Sequence, residues 1–347
     1  MSNTQASHTM LTDLTPAEVA EALDVKPFQG RQIVQWIHRR QVFDFDAMTD
    51  LSKDLRQRLK ETAIAAQLQP IHTEVSRQTG TKKVLFQLRD GETVESVFLV
   101  DGDRVTLCVS SQVGCPLKCC FCATGQSGFR RNLSPGEIVE QVLHLVAMEK
   151  LEDRTPNIVY MGMGEPFRNY ASVVKSIRLL MMKEGLNVGA RKITVSTVGD
   201  VPGIRHFARE RWQVRLAISL HAANDALRSK LVPLNRAYPL AKLMQEVKKY
   251  LAATGRQISI EWILLEGVND STVDAEQLAG LIAGLKAMVN LIPYNPVQGL
   301  PYAPSPRETC EAFRDALLAR GIQATLRQER GQDIDAACGQ LRVRHSA

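Results

Sequence analysis

The sequence predicts an α/β fold: an open (β/α)6 barrel preceded by a small helical domain and a short β-hairpin extension. Short apolar segments recur at 157–161, 192–197, 213–220, 258–265 and 290–292. Each is followed by a loop and a helical pattern, as a parallel sheet with crossover helices requires. A sixth strand around Leu107 precedes them, and 323–326 reads as an extra strand. With 347 residues, 44% hydrophobic and 23% charged, the chain can build a substantial core and one accessory unit.

Taken in order, residues 15–59 carry apolar residues at helical spacing, broken at Lys26-Pro27 and in DFDAMTDLS, and predict a small bundle of short helices. Gln29, Gly30, Arg31, Trp36, His38, Arg39 and Arg40 there mix basic groups with an aromatic. That pattern suits an RNA-facing helix and equally a solvated face over a buried Trp. From 82 to 110 apolar and polar residues alternate around the turns Asp90-Gly91 and Asp101-Gly102, which predicts consecutive hairpins leading into the first barrel strand. Ser134-Pro135-Gly136-Glu137 then forms a capping box with Pro at the first helical position, opening a helix to about Glu149. The expected division is 1–60 helical accessory domain, 61–100 hairpin extension and 101–347 catalytic core.

The net charge of +6 and pI near 8.9 fit a polyanionic partner without requiring one. MSNTQASHTM has no apolar signal core and no stretch of 18 apolar residues exists, so the expectation is a cytoplasmic protein with reduced thiols and no membrane contact.

The chemistry is carried by cysteines. Cys115, Cys119 and Cys122 are three and two residues apart within VSSQVGCPLKCCFCATG. Three thiolates on one loop can hold a four-iron, four-sulfur (4Fe–4S) cluster while leaving one iron open to a ligand. A structural zinc site would need a second Cys/His pair, and none follows. Cys120 lies out of phase with the three ligands, and Cys310, on a helical pattern, reads as a small buried apolar residue. YMGMGEP follows the second strand, where Gly162 and Gly164 would let the backbone approach a ligand; alone, it is equally a tight turn. Cys108, ending the first strand, and Cys338, in the tail after the last, read from position alone as buried structural thiols.

The words CVSSQVGC, FCATG, GFRRNL, YMGMGEP, ISLHA, IPYNP and DIDAACGQL, in this order, resemble the RlmN/Cfr family of radical S-adenosylmethionine (SAM) RNA adenosine methyltransferases, from about Gly30 to Leu341. The resemblance implies a partial (β/α)6 radical SAM barrel with a 4Fe–4S cluster on Cys115, Cys119 and Cys122. It assigns SAM to Gly164, Glu165, Ser196, Ser219, Leu220, His221 and Asn295. It makes Cys338 the carrier of a methyl taken from one SAM, while a second SAM is cleaved to a 5′-deoxyadenosyl radical that activates this methyl. Glu95 would accept the ring proton. Cys108 would resolve the RNA–enzyme bond, leaving a transient Cys108–Cys338 disulfide for an external reductant.

Such a route answers a real difficulty, because carbon 2 of adenine is electrophilic and cannot attack a methyl cation equivalent. The implied substrates are one adenosine of 23S rRNA and an adenosine of tRNA, unstacked to reach a barrel mouth, with an external electron donor. Arg130 and Arg131 are phosphate candidates or a solvated pair. Two alternatives remain at this stage: methylation at carbon 8, and a non-catalytic RNA-binding protein with a structural metal.

Overall fold

The computed structural model describes residues 8–151, 154–328 and 330–341. Most of the segment read as lacking a signal core, residues 1–7, lies outside the described residues. Helix α1 (Pro16–Ala22) opens on a capping box in which Thr15 and Glu18 satisfy each other's backbone N–H groups. Helix α2 (Pro27–Val34) crosses it so tightly that a Cβ on Gly30 would lie 2.4 Å from the Pro16 carbonyl oxygen. It runs into a π-helical turn, Gln35–Arg39, which hydrophobic spacing does not reveal. Helix α3 (Lys53–Thr62) is capped by Ser52.

Ten strands form one sheet whose spatial order follows the chain: β1 (Gln69–Val75), β2 (Lys82–Gln87), β3 (Thr93–Asp101), β4 (Arg104–Cys108), β5 (Asn157–Tyr160), β6 (Ile193–Thr197), β7 (Arg215–Ser219), β8 (Ile258–Leu264), β9 (Ala287–Pro293) and β10 (Ala324–Leu326). Strands β1 to β4 pair antiparallel and β4 to β10 parallel. The six expected barrel strands and the extra one are all present. Strand β1, which is almost wholly exposed at the sheet edge, was not foreseen because it has no buried face to set an alternation. Of the hairpin strands β3 pairs directly with β4 and β2 with β3, so they continue the barrel sheet.

The crossovers are α4 (Ala123–Gln126), α5 (Pro135–Met148), α6 (Tyr170–Met181), α7 (Val201–Phe207), α8 (Asp225–Leu231), α9 (Leu240–Thr254), α10 (Thr272–Ile282) and α11 (Arg307–Leu318). Helix α5 begins as expected, with Ser134 Oγ accepting from Glu137 N (3.1 Å) and Glu137 accepting from Ser134 N (2.8 Å). Ser134→Ala is expected to lower stability by about 1 kcal/mol, read as a lower urea midpoint at unchanged slope. An unchanged midpoint would remove the cap from the account.

The pleat sorts the sheet into two faces. Ile218, Ile260 and Val289 are register partners on the apolar face, within the main core. Ser219, Glu261, Asn290 and Thr325 are register partners on the opposite face, which is the polar interior of the barrel. Cys108 aligns with Val159 and Thr194 on that inner face, and Val97 aligns with Cys108, so Glu95, two residues earlier on β3, faces the same way.

Candidate active site

The segment after β4 supports the loop after β5. Ser110 Oγ donates to the Glu95 carbonyl (2.6 Å) and accepts from Met163 N (2.9 Å), while the Ser111 N–H reaches Met163 O (2.8 Å). Gln112 Oε1 accepts from Glu165 N (2.8 Å). Buried Gln141 of α5 ties Ser96 and Ser110 together from behind. A Cβ on Gly162 would meet Ser110 and Val109 at 2.8 Å; one on Gly164, at φ +105°, would meet Gln112 at 2.7 Å. These glycines therefore permit close packing of protein on protein, a tighter requirement than the ligand approach expected of them.

Glu165 is buried and its carboxylate accepts from Phe167 N (3.1 Å) and Val198 N (3.0 Å), joining the end of β5 to that of β6. Burial raises its pKa to about 7 against the lowering effect of the donors around it.

The cysteine loop is held at both ends. Gly114, at φ +73°, lets Cys115 N reach Gly128 O (3.0 Å) between the short paired segments Gln112–Gly114 and Phe129–Asn132. Cys122 starts α4, Cys122 N donates to Cys119 O (3.2 Å) and Cys120 N to Leu231 O of α8 (3.1 Å). Burial pushes the Cys115 thiol up to about 12 and those of Cys119 and Cys122 upward as well, with charge repulsion among the three sulfurs adding to it. The Cys120 sulfur instead meets Tyr302 Oη at 3.0 Å.

The C-terminal tail docks on this loop. Gly339 O accepts from Ala123 N (2.7 Å), Leu341 O from Thr124 Oγ1 (2.5 Å), and Gln340 Nε2 donates to Pro296 O (3.0 Å). Cys338 is thereby brought into electrostatic range of both Cys108 and Cys122. Burial raises the Cys108 thiol to about 12 and the Cys338 sulfur raises it further, while Arg327 opposes both. Arg327 Nη1 also lies 3.9 Å from Cys338 Sγ.

Glu95 is buried, 6% exposed. Its Oε1 lies 3.4 Å from the ammonium of Lys83, equally buried, which also reaches Glu74 at 3.4 Å. Ser196 and Ser219 meet, Oγ to Oγ, at 3.1 Å. Leu220 uses its N–H on Glu261 O and its carbonyl on Arg228. His221, at φ +62°, accepts at Nδ1 from Ile263 N (3.1 Å) and packs edge-on against Phe121 of the cysteine loop; burial lowers its pKa to about 3, so it is neutral. Asn295 Oδ1 accepts from Gln332 of the tail (2.8 Å).

The inner face thus carries Glu95, Cys108, Ser196 and Ser219, while Gly164, Glu165, Leu220, His221 and Asn295 lie in the loops that follow separate strands. Arg131 is not available to phosphate, since it pairs with Asp90 and Glu137; Arg130 stays exposed. Residue patterning missed Lys83, Arg228, Glu261 and Arg327. Strand alternation could have found Lys83 and Glu261, whereas Arg228 on a helix reads as solvated.

The thiols fit an iron–sulfur cluster. Three soft donors on one loop, Cys119 buried and Cys115 and Cys122 half-buried, are costly as isolated thiolates, and a positive metal core offsets that cost. Among the described residues no three His, Cys, Asp or Glu side chains converge on a single ion, which a cluster that binds each thiolate through a different iron does not ask for.

Residues 109–279 match the model of the Radical SAM superfamily, the class that this open barrel and its three-cysteine loop define; its members use a 4Fe–4S cluster and SAM. Residues 11–65 match the Ribosomal RNA large subunit methyltransferase N-terminal domain. A protein of Thermotoga sp. (strain RQ2) named "Probable dual-specificity RNA methyltransferase RlmN" is 47% identical, over 96% of this chain and 97% of its own. A Bacillus subtilis (strain 168) protein of the same name is 46% identical, over 92% and 88%. The crystal structure of a radical SAM methyltransferase from Sphaerobacter thermophilus superposes with a TM-score of 0.93 at 48% identity, over 96% and 99%. The chain belongs to the RlmN family of radical SAM methyltransferases. Among its described residues no helix is long and apolar enough to cross a membrane.

Proposed function

We propose that this enzyme methylates carbon 2 of an adenosine in 23S rRNA and of an adenosine in tRNA, consuming two SAM molecules per methyl and carrying the new carbon on Cys338. Relatives at 46–47% identity are named dual-specificity RNA methyltransferases, and the match of residues 11–65 to a ribosomal RNA large subunit methyltransferase N-terminal domain supports a large-subunit rRNA substrate. The observation that supports the chemistry is that two thiols distant in sequence, Cys108 on the inner face and Cys338 on the tail docked against the cysteine loop, come within electrostatic range of each other.

In this reading Cys115, Cys119 and Cys122 hold the cluster, and Gly164, Glu165, Ser196, Ser219, Leu220, His221 and Asn295 surround SAM. The bound cluster and SAM together supply a carbon radical able to take hydrogen from a thioether methyl. Cys338, as a thiolate, would attack the methyl of one SAM: an S–C bond forms, the methyl–sulfonium bond breaks, and the demethylated cofactor leaves as a neutral thioether. Once its carbon is joined to the adenine ring, Glu95, held by Lys83, takes the ring proton, and the one electron left in excess on the adduct would return to the metal centre that Cys115, Cys119 and Cys122 would hold. Cys108 then attacks the Cys338 sulfur: an S–S bond forms, the S–C bond breaks, and the electron pair left on carbon takes up a proton to complete the methyl. Burial raises the pKa of Cys108 to about 12, which keeps it a thiol at rest. The disulfide and the cluster are reduced by external donors, as in a cytoplasmic setting.

Incubation with methyl-labelled SAM should place label on the Cys338 peptide, and a chase with unlabelled SAM, reductant and RNA should move it into adenosine. Label reaching RNA without passing through Cys338 would overturn the reading. Glu95→Gln is expected to slow product release roughly 10²-fold or more, seen as a persisting enzyme–RNA bond in single-turnover gels; release at the parent rate would remove Glu95 as the base.

A further inference from the structure

Arg228, on α8, is a guanidinium only 1% exposed, and the chemistry above leaves it unused. Its Nε donates to Leu220 O (3.0 Å), Nη2 to Val198 O (2.5 Å) and Nη1 to Asn235 Oδ1 (2.8 Å). Asn235, itself buried, passes the contact on through Nδ2 to Asp225 Oδ1 (2.8 Å), which also accepts from Leu240 N (2.8 Å). The cation is therefore fixed by two loop carbonyls and by an Arg–Asn–Asp chain. A charge held this far from water is costly unless something nearby uses it.

What lies nearby is the cysteine loop. Cys120 N bonds Leu231 O at the end of the helix that carries Arg228, and Val232 N bonds Arg228 O (2.7 Å). Cys119 packs in one apolar cluster with Leu231 and Val232. Burial pulls the guanidinium down to about 10, while charge on the Cys119 sulfur and on Asp225 opposes this.

We propose that Arg228 is a positioning residue for electron uptake: a fixed positive charge behind Cys119 that makes reduction of the cluster on this loop easier. The proposal rests on Cys119 being a cluster ligand. One electron arrives from an external one-electron donor, no bond is made or broken, and the loop's metal centre becomes one unit more negative in a region of low polarisability. There a nearby cation favours the reduced state, as charges around metal ligands generally do.

The test is a redox titration of anaerobically reconstituted protein, followed by the spin signal of the reduced cluster. In Arg228→Gln the reduced-to-oxidised ratio at the parent midpoint should fall roughly tenfold, a shift of about 59 mV for one electron. Arg228→Lys should recover most of it. Asp225→Asn, which keeps acceptors for Asn235 and Leu240 while removing the opposing charge, should shift the midpoint the other way. A merely structural role would not produce opposite shifts. Unchanged midpoints in Arg228→Gln and Asp225→Asn at full iron content, or shifts in the same direction, would overturn the proposal. If Arg228→Gln does not hold iron, Asp225→Asn decides alone: a less negative midpoint supports the proposal, and any other result overturns it. Iron retained in Cys119→Ala would instead show that the ligand assignment had failed.

Discussion

Cys338→Ala is expected to form no enzyme–RNA bond and no methylated RNA, although its cluster stays intact, because no sulfur remains to carry the carbon. Cys108→Ala should do the opposite and accumulate the covalent conjugate, since no second thiol can attack the Cys338 sulfur. The difference is all-or-none and is read on denaturing gels of each variant purified from cells, with and without ribonuclease. The proximity of the two thiols makes the pair of outcomes a joint test. Conjugate in Cys338→Ala, or none in Cys108→Ala with full iron, would return both residues to a structural role.

Cys115→Ala, Cys119→Ala and Cys122→Ala should each lose essentially all cluster iron and all activity, whereas Cys120→Ala and Cys310→Ala should keep both. The loop turns the Cys120 sulfur toward Tyr302, and Cys310 is buried on α11 with its sulfur 3.6 Å from Ser305 O, in the main core. Iron and sulfide analysis after anaerobic reconstitution distinguishes the two groups. Equal iron loss in Cys120→Ala and Cys119→Ala would break the ligand assignment.

The parallel strands were legible because a buried strand must be apolar and short, and the capping box at Ser134 marked α5 before any contact was known. The edge strand Gln69–Val75 and the π-helical turn Gln35–Arg39 were not, because neither leaves a period in the sequence. Of the site, the cysteine spacing stood out unaided. The approach of Cys338 to Cys108 did not, since it depends on a tail held against the barrel through Asn295, Pro296 and Ala123. Glu95 was the least legible of the proposed catalytic groups. Its burial is created by a register that sets it against Lys83, Leu85 and the loop after β5.

Mass spectrometry of nucleosides from 23S rRNA and tRNA, treated with the reduced enzyme and SAM, tests the central claim most directly. The account predicts 2-methyladenosine in both RNAs, absent with Cys338→Ala. Adenosine methylated at carbon 8, or RNA left unmodified by protein with a full cluster, would contradict it.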